Sequence, residues 1–135
     1  MSCQVGFTYS SVLNLCHFFS TDRWNITVAR EDCDSKNATL PVPQSEEEQT
    51  NYHNLLTNEG DSSIWLGITD EATENVWLTF DGKPLNYTKW KNGYPNDIGD
   101  FAYMSFSKGL WYDEDAGLRG TLYRYMCVTG YGTDG

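Results

Sequence analysis

An α+β domain is the fold class this sequence predicts, with two early helices, several later strands and a long acidic loop. Three observations carry that expectation. Capped helical segments begin near Asn25 and Ser45. Short apolar runs bounded by turn residues follow from Ile64 onward. Between two of these runs, the stretch Tyr87–Asp113 gathers Gly, Asn and Pro with several carboxylates, the composition from which oxygen-ligand metal sites and ligand contacts are built.

The elements follow in order. Residues 3–20 read as a hairpin, with Cys3 to Tyr9 and Cys16 to Phe19 strand-like around a turn at Ser10-Ser11. A helix starts at Asn25, where Asn25 or Thr27 can cap it and Ile26, Ala29 and Cys33 share one face. It ends near Lys36-Asn37, with Asn37 suited to a left-handed terminus. Leu40-Pro41-Val42-Pro43 must be extended. Ser45 and Glu48 form a capping box, and Glu46–Glu48 sit at the positive end of the helix dipole. This second helix continues through Tyr52, Leu55 and Leu56 to Asn58. Ile64–Ile68 reads as a buried strand and Val76–Phe80 as a second one, followed by a turn at Asp81-Gly82. Phe101–Phe106 and Leu110–Tyr112 pair around Lys108-Gly109, and Leu122–Val128 is the last strand. One domain over residues 1–128 with a flexible Gly-rich tail over 129–135 is expected.

Composition excludes several functions. At a net charge of −10 the chain repels phosphate backbones, so nucleic acid is not an expected partner; acidity also serves solubility. No run approaches the roughly 20 apolar residues of a membrane span, and no signal peptide is evident. Four cysteines, Cys3, Cys16, Cys33 and Cys127, suggest two bridges with three possible pairings. A Cys3–Cys16 bridge would close a short loop, and a Cys33–Cys127 bridge would tie the first helix to the last strand. Their spacing does not suit zinc. Sequons at Asn25, Asn37 and Asn86, beside paired cysteines, point to a secreted or cell-surface extracellular protein. His17 and His53 have no recognisable nucleophile partner, and Asp113-Glu114-Asp115 are too close together to oppose each other across a glycosidic bond, so no enzyme is expected. Trp65, Trp77, Trp90 and Trp111 are expected in the core.

Taken together, the cysteine-closed hairpin, the Cys33 helix, Ala38-Thr39-Leu40, Trp65-Leu66-Gly67-Ile68, Trp77, Trp90, Pro95-Asn96, Gly109-x-Trp111-x-Asp113 and Cys127 resemble the C-type lectin-like domain from Cys3 to Val128. The resemblance implies a carbohydrate-recognition fold of two helices and small antiparallel sheets with a long binding loop. It places the partners of the family's second bridge on Ala102 and Ala116, so that both are lost together. The stretch from Ala116 to Cys127, with Gly117 and Gly120, is longer than usual, and a less rigid loop region is expected.

The resemblance also implies calcium, which takes six to eight oxygen ligands. The sugar-coordinating positions fall on Tyr94, Asn96, Asp100, Tyr112 and Asp113. Asn96, Asp100 and Asp113 keep suitable oxygens, whereas two positions have become tyrosine. The triplet Tyr94-Pro95-Asn96 matches neither usual sugar code. An auxiliary site falls on Asp70, Glu74, Asp97 and Asp100, with a further acidic position replaced by Phe101. The expected function is calcium-assisted binding of glycans or a glycoprotein surface through the Tyr87–Asp113 face, with ligand contacts from Tyr94, Asn96, Tyr112 and Asp113. The alternative is a calcium-independent module that binds a protein partner through an aromatic wall of Tyr94 and Tyr112.

Overall fold

A computed structural model of the protein describes residues 2–60, 62–116 and 122–130. Gly117, Gly120 and residues 131–135 of the expected tail lie outside the described residues. The order is β1 (Thr8–Ser10), β2 (Leu15–Phe19), α1 (Ile26–Ser35), α2 (Glu46–Glu59), β3 (Ile64–Thr69), β4 (Leu78–Thr79), β5 (Phe101–Met104), β6 (Trp111–Glu114) and β7 (Met126–Gly130). The strands form two antiparallel sheets, β1-β2-β7 and β4-β3-β5-β6.

Both helices start where side-chain chemistry can satisfy the free N–H groups. The Asn25 carboxamide oxygen accepts from Val28 N at 2.9 Å and caps α1. The Ser45 hydroxyl accepts from Glu48 N at 3.1 Å. The Glu48 carboxylate returns to Gln44 N at 3.0 Å, one residue before the cap. Asn37 takes φ +57° just after α1.

The four-stranded sheet is filled on both faces, which explains why β3 is an unbroken apolar run. Ile64, Leu66 and Ile68 point toward α2 and join Tyr52, Leu56 and Trp111. Trp65 points the other way, into a second cluster with Ile26, Ala29 and Cys33 of α1 and with Phe101. Burying each such side chain stabilises the fold by about 1.5–3 kcal/mol. Cys33–Cys127 crosses the second cluster, and Cys3–Cys16 closes the N-terminal hairpin.

Several strands differ from expectation. The first begins at Thr8, because Phe7 N turns back to Gln4 O and Gly6 has φ +90°. The expected Val76–Phe80 strand contracts to Leu78–Thr79: Val76 closes a turn onto Thr73 O and is exposed, and Thr79 is drawn into the tight Asp81-Gly82 hairpin by Lys83 N. In the last strand, Tyr123 and Arg124 make only isolated bridges, to Trp24 and Ile64. The regular ladder starts at Met126 and continues to Gly130, so Thr129 belongs to the sheet by pairing with Cys16. Trp65 and Trp111 are fully buried, while Trp77 and Trp90 pack half-buried against the core.

Candidate functional site

The long loop is built outward from Trp111. Its indole N–H donates to Gln49 Oε1 of α2 at 2.9 Å, and Gln49 Nε2 donates to Gly109 O at 2.6 Å. The segment around Trp90 then runs beside Trp111, with Trp111 N bonded to Lys89 O and Lys91 N to Trp111 O, each at 2.9 Å. Trp77, Trp90 and Trp111 meet edge to face, at centroid distances of 5.0 and 5.7 Å. From this aromatic base the chain turns at Gly93 and enters a cis Tyr94–Pro95 bond.

Asp113 holds the next four residues. It is only 3% exposed, yet both carboxylate oxygens have donors. Oδ1 accepts from Asn96 N at 3.0 Å, and Oδ2 accepts from Ile98 N at 2.9 Å and Gly99 N at 3.4 Å. With its amide nitrogen turned inward, the Asn96 side chain also donates to Asp113, at 2.9 Å. Gly99 is required by close approach: a Cβ there would lie 2.0 Å from the Glu114 carbonyl carbon. A buried carboxylate is therefore neutralised by loop N–H groups, a fixed arrangement of charge-assisted bonds.

A second carboxylate group lies where β3 ends and the loop exits. Asp70, Glu74 and Asp100 each place an oxygen within 4.8 Å of the others. The backbone builds this junction: Asp70 N and Thr69 Oγ1 both donate to Asp100 O, at 3.1 and 2.7 Å. Asp70 is 3% exposed; its Oδ2 accepts from Asn75 N at 2.9 Å, while Oδ1 is buried with no hydrogen-bond partner. Burial pushes the Asp70 carboxyl above the ordinary carboxylate range, and Asp70 in turn raises Asp100. Adjacent carboxylates with one orphaned oxygen retain a proton until a cation replaces it. Asp97 does not belong to this group; it is exposed, at φ +66°.

Alternation along β6 sends Tyr112 to the sheet face opposite Asp113. The Tyr94 ring meets Tyr112 edge-on at 4.7 Å. Tyr112 stacks on its cross-strand partner Tyr103 at 5.2 Å and 7°, and Tyr103 lies 4.3 Å from Tyr123. Tyr123 closes the row against Trp65 and donates to Glu114 at 3.3 Å. All four tyrosines are half-buried, so the row runs from the core to the loop surface.

Of the residues singled out in the sequence, Asp70, Glu74 and Asp100 thus come together, as do Tyr94 and Tyr112. Asn96 and Asp113 are bonded to each other, separate from the three-carboxylate group. Sequence reasoning missed Gln49, Tyr103 and Tyr123. Tyr103 had a signal: two-residue periodicity in β5 and β6 places it across from Tyr112. Asn37 and Asn86 are exposed, and Asn86 Nδ2 donates to Gln44 Oε1 at 2.8 Å. Asn25 is half-buried at its cap.

A family model described as the lectin C-type domain matches residues 22–129. The mouse (Mus musculus) CD209 antigen-like protein D is 33% identical over 101 residues, covering 73% of this chain and 42% of that protein. The chain thus spans less than half the length of this curated relative. Among solved structures, the mouse scavenger receptor C-type lectin carbohydrate-recognition domain superimposes with a TM-score of 0.83 at 25% identity, covering 98% of this chain and 100% of that one. The cow CD23 carbohydrate-recognition domain, crystallised in the presence of a GlcNAc2Man3 oligosaccharide, gives 0.78 at 27% identity and covers 95% of each chain.

Proposed function

Because the chain belongs to the C-type lectin domain family, we propose that it is an extracellular glycan-recognition module that works through the Tyr87–Asp113 face, with calcium held by Asp70, Glu74 and Asp100. The observation that carries the calcium part is the orphaned Asp70 Oδ1, buried beside two further carboxylates. Three hard oxygen donors from two segments suit that ion's chemistry. Calcium bound there would neutralise the three carboxylates and tie the end of β3 to the loop exit at Asp100. Asp70, Glu74 and Asp100 would be its protein ligands.

The residues at the sugar-coordinating positions do not fit a second ion. Both Asp113 oxygens are engaged by loop N–H groups, and Tyr112 stacks on the other face. On this reading Asp113 fixes the shape of the loop. The Tyr94 and Tyr112 rings offer aromatic surface to the apolar face of a sugar, as an amphipathic ring does. Two disulfides with no free cysteine among the described residues suit the extracellular setting. The family is non-enzymatic in general, and we assign this chain no catalytic role.

The test is a calcium titration of chelated protein, read as melting temperature. At 100 times its dissociation constant, calcium adds about 2.7 kcal/mol of stability. Wild type shifts upward and Asp70→Asn does not. Absence of a shift at millimolar calcium in wild type removes the metal from this reading.

A second reading keeps the face and changes the partner. The edge-to-face contact of Tyr94 on Tyr112, with no calcium-competent oxygen between them, favours a protein surface anchored on the tyrosines without metal. Glycan binding that is absent both with calcium and with chelator supports this second reading.

A further inference from the structure

A groove of about 590 Å³ lies away from the long loop, between α1, the extended connector, α2 and the β4 hairpin. We propose that it is a binding site for a small organic carboxylate with an apolar body, such as an arylalkanoate. The volume falls within the roughly 300–1,000 Å³ of small-ligand sites. Leu40, Val42, Tyr52, Phe80 and Val128 supply apolar lining. Gly67 lets this lining form: a Cβ there would lie 2.9 Å from Leu40 O and 3.1 Å from Val42 Cγ2. Without one, the connector lies directly on β3, held by Gly67 N to Pro41 O at 3.0 Å.

The polar groups decide the ligand's charge. Arg30 stands with its guanidinium 4.1 Å over the Phe80 ring and has no ion pair among the described residues. Its N–H fork is therefore open to a carboxylate, the anion whose geometry it matches. Tyr52 is 4% exposed and lines the groove, and its hydroxyl has no partner among the described residues. Burial and the nearby Glu48 charge keep that phenol protonated, so it remains a donor. Three acids also line the groove. Glu48 is occupied by Gln44 N, and Asp81 by the Thr79 hydroxyl and Lys83. Asp34 alone of the three has no such engagement among the described residues, and it opposes an anion. The uncommitted donors outnumber this single competing charge, and they flank an apolar lining.

The experiment titrates the isotopically labelled full chain with 4-phenylbutyrate and with its uncharged amide, in chelator, following backbone amide shifts by NMR. Saturable shifts are expected at Leu40, Gly67, Phe80 and Val128. The amide should bind about tenfold more weakly, the size of one charge-assisted contact near a surface. Arg30→Gln should erase the preference for the acid, and Asp34→Asn should tighten acid binding without affecting the amide. Should Arg30→Gln disturb the fold, Asp34→Asn alone decides, because it alters the charge at an exposed position. No saturable shifts, shifts confined to the loop around Tyr94, or equal affinity of wild type for acid and amide would overturn the assignment.

Discussion

Asp113 is the residue whose role the geometry redefines most. A carboxylate that the family pattern assigns to a metal instead accepts three backbone N–H bonds from the loop. Truncation would leave those donors unsatisfied in a buried place, so Asp113→Ala should destabilise the fold by about 2–3 kcal/mol. The loss should be equal in calcium and in chelator, as measured by urea unfolding; a loss seen only in calcium would make Asp113 a metal ligand. Asp32 gives a pH-dependent counterpart. Burial alone would raise its carboxyl, but hydrogen bonds from Lys36 and Tyr125, with the Lys36 charge, outweigh that and hold it below 3.8. A depressed native value stabilises the fold above the unfolded-state value and is lost as pH falls through the native one. Asp32→Asn should therefore be less stable than wild type at neutral pH, and the difference should shrink as acid titrates Asp32 below pH 3.8. A difference that stays constant down the acid limb, in stability curves of the two proteins, contradicts that assignment.

Among the elements, both helices were legible to within a residue or two, because capping is local chemistry: Asn25 and Ser45 each announce a helix start. β3 was equally legible, since a strand buried on two faces must be apolar throughout. The short strands were not. Val76–Phe80 has the composition of a strand, yet pairing partners exist only for Leu78 and Thr79, a fact of tertiary structure. The site divided in the same way. The Asp70, Glu74 and Asp100 positions could be read from spacing within the family pattern. That Asp97 faces outward and Asp113 faces the loop backbone depends on the path of a loop shorter than its relatives', which spacing does not encode. The tyrosine row required strand register, which follows from Tyr103 pairing with Tyr112. Element cohesion is testable at the Cys33–Cys127 bridge, which links α1 to β7 across 94 residues. The chain-entropy model gives about 4.7 kcal/mol for a loop of that order. Cys33→Ala/Cys127→Ala should lower the melting temperature more than removal of the Cys3–Cys16 bridge, which closes a separation of 13 residues. Equal losses in calorimetry would show that loop size is not what sets the contribution.

At the scale of the whole molecule, the sheet separates two tasks. One face rests on α2 and supports Trp111 and the loop; the other rests on α1 and carries the tyrosine row toward the surface. The three-carboxylate group sits at the junction of β3 and the loop exit, where neutralising it would couple the scaffold to the recognition face. That coupling is the central claim. Glycan-array binding of wild type and Asp70→Asn, each in millimolar calcium and in chelator, tests it most directly. The account predicts glycan binding by wild type in calcium, loss of that binding in chelator, and a chelator-like response of Asp70→Asn under both conditions. Wild-type glycan binding that persists unchanged in chelator, or no glycan binding under either condition, would contradict it.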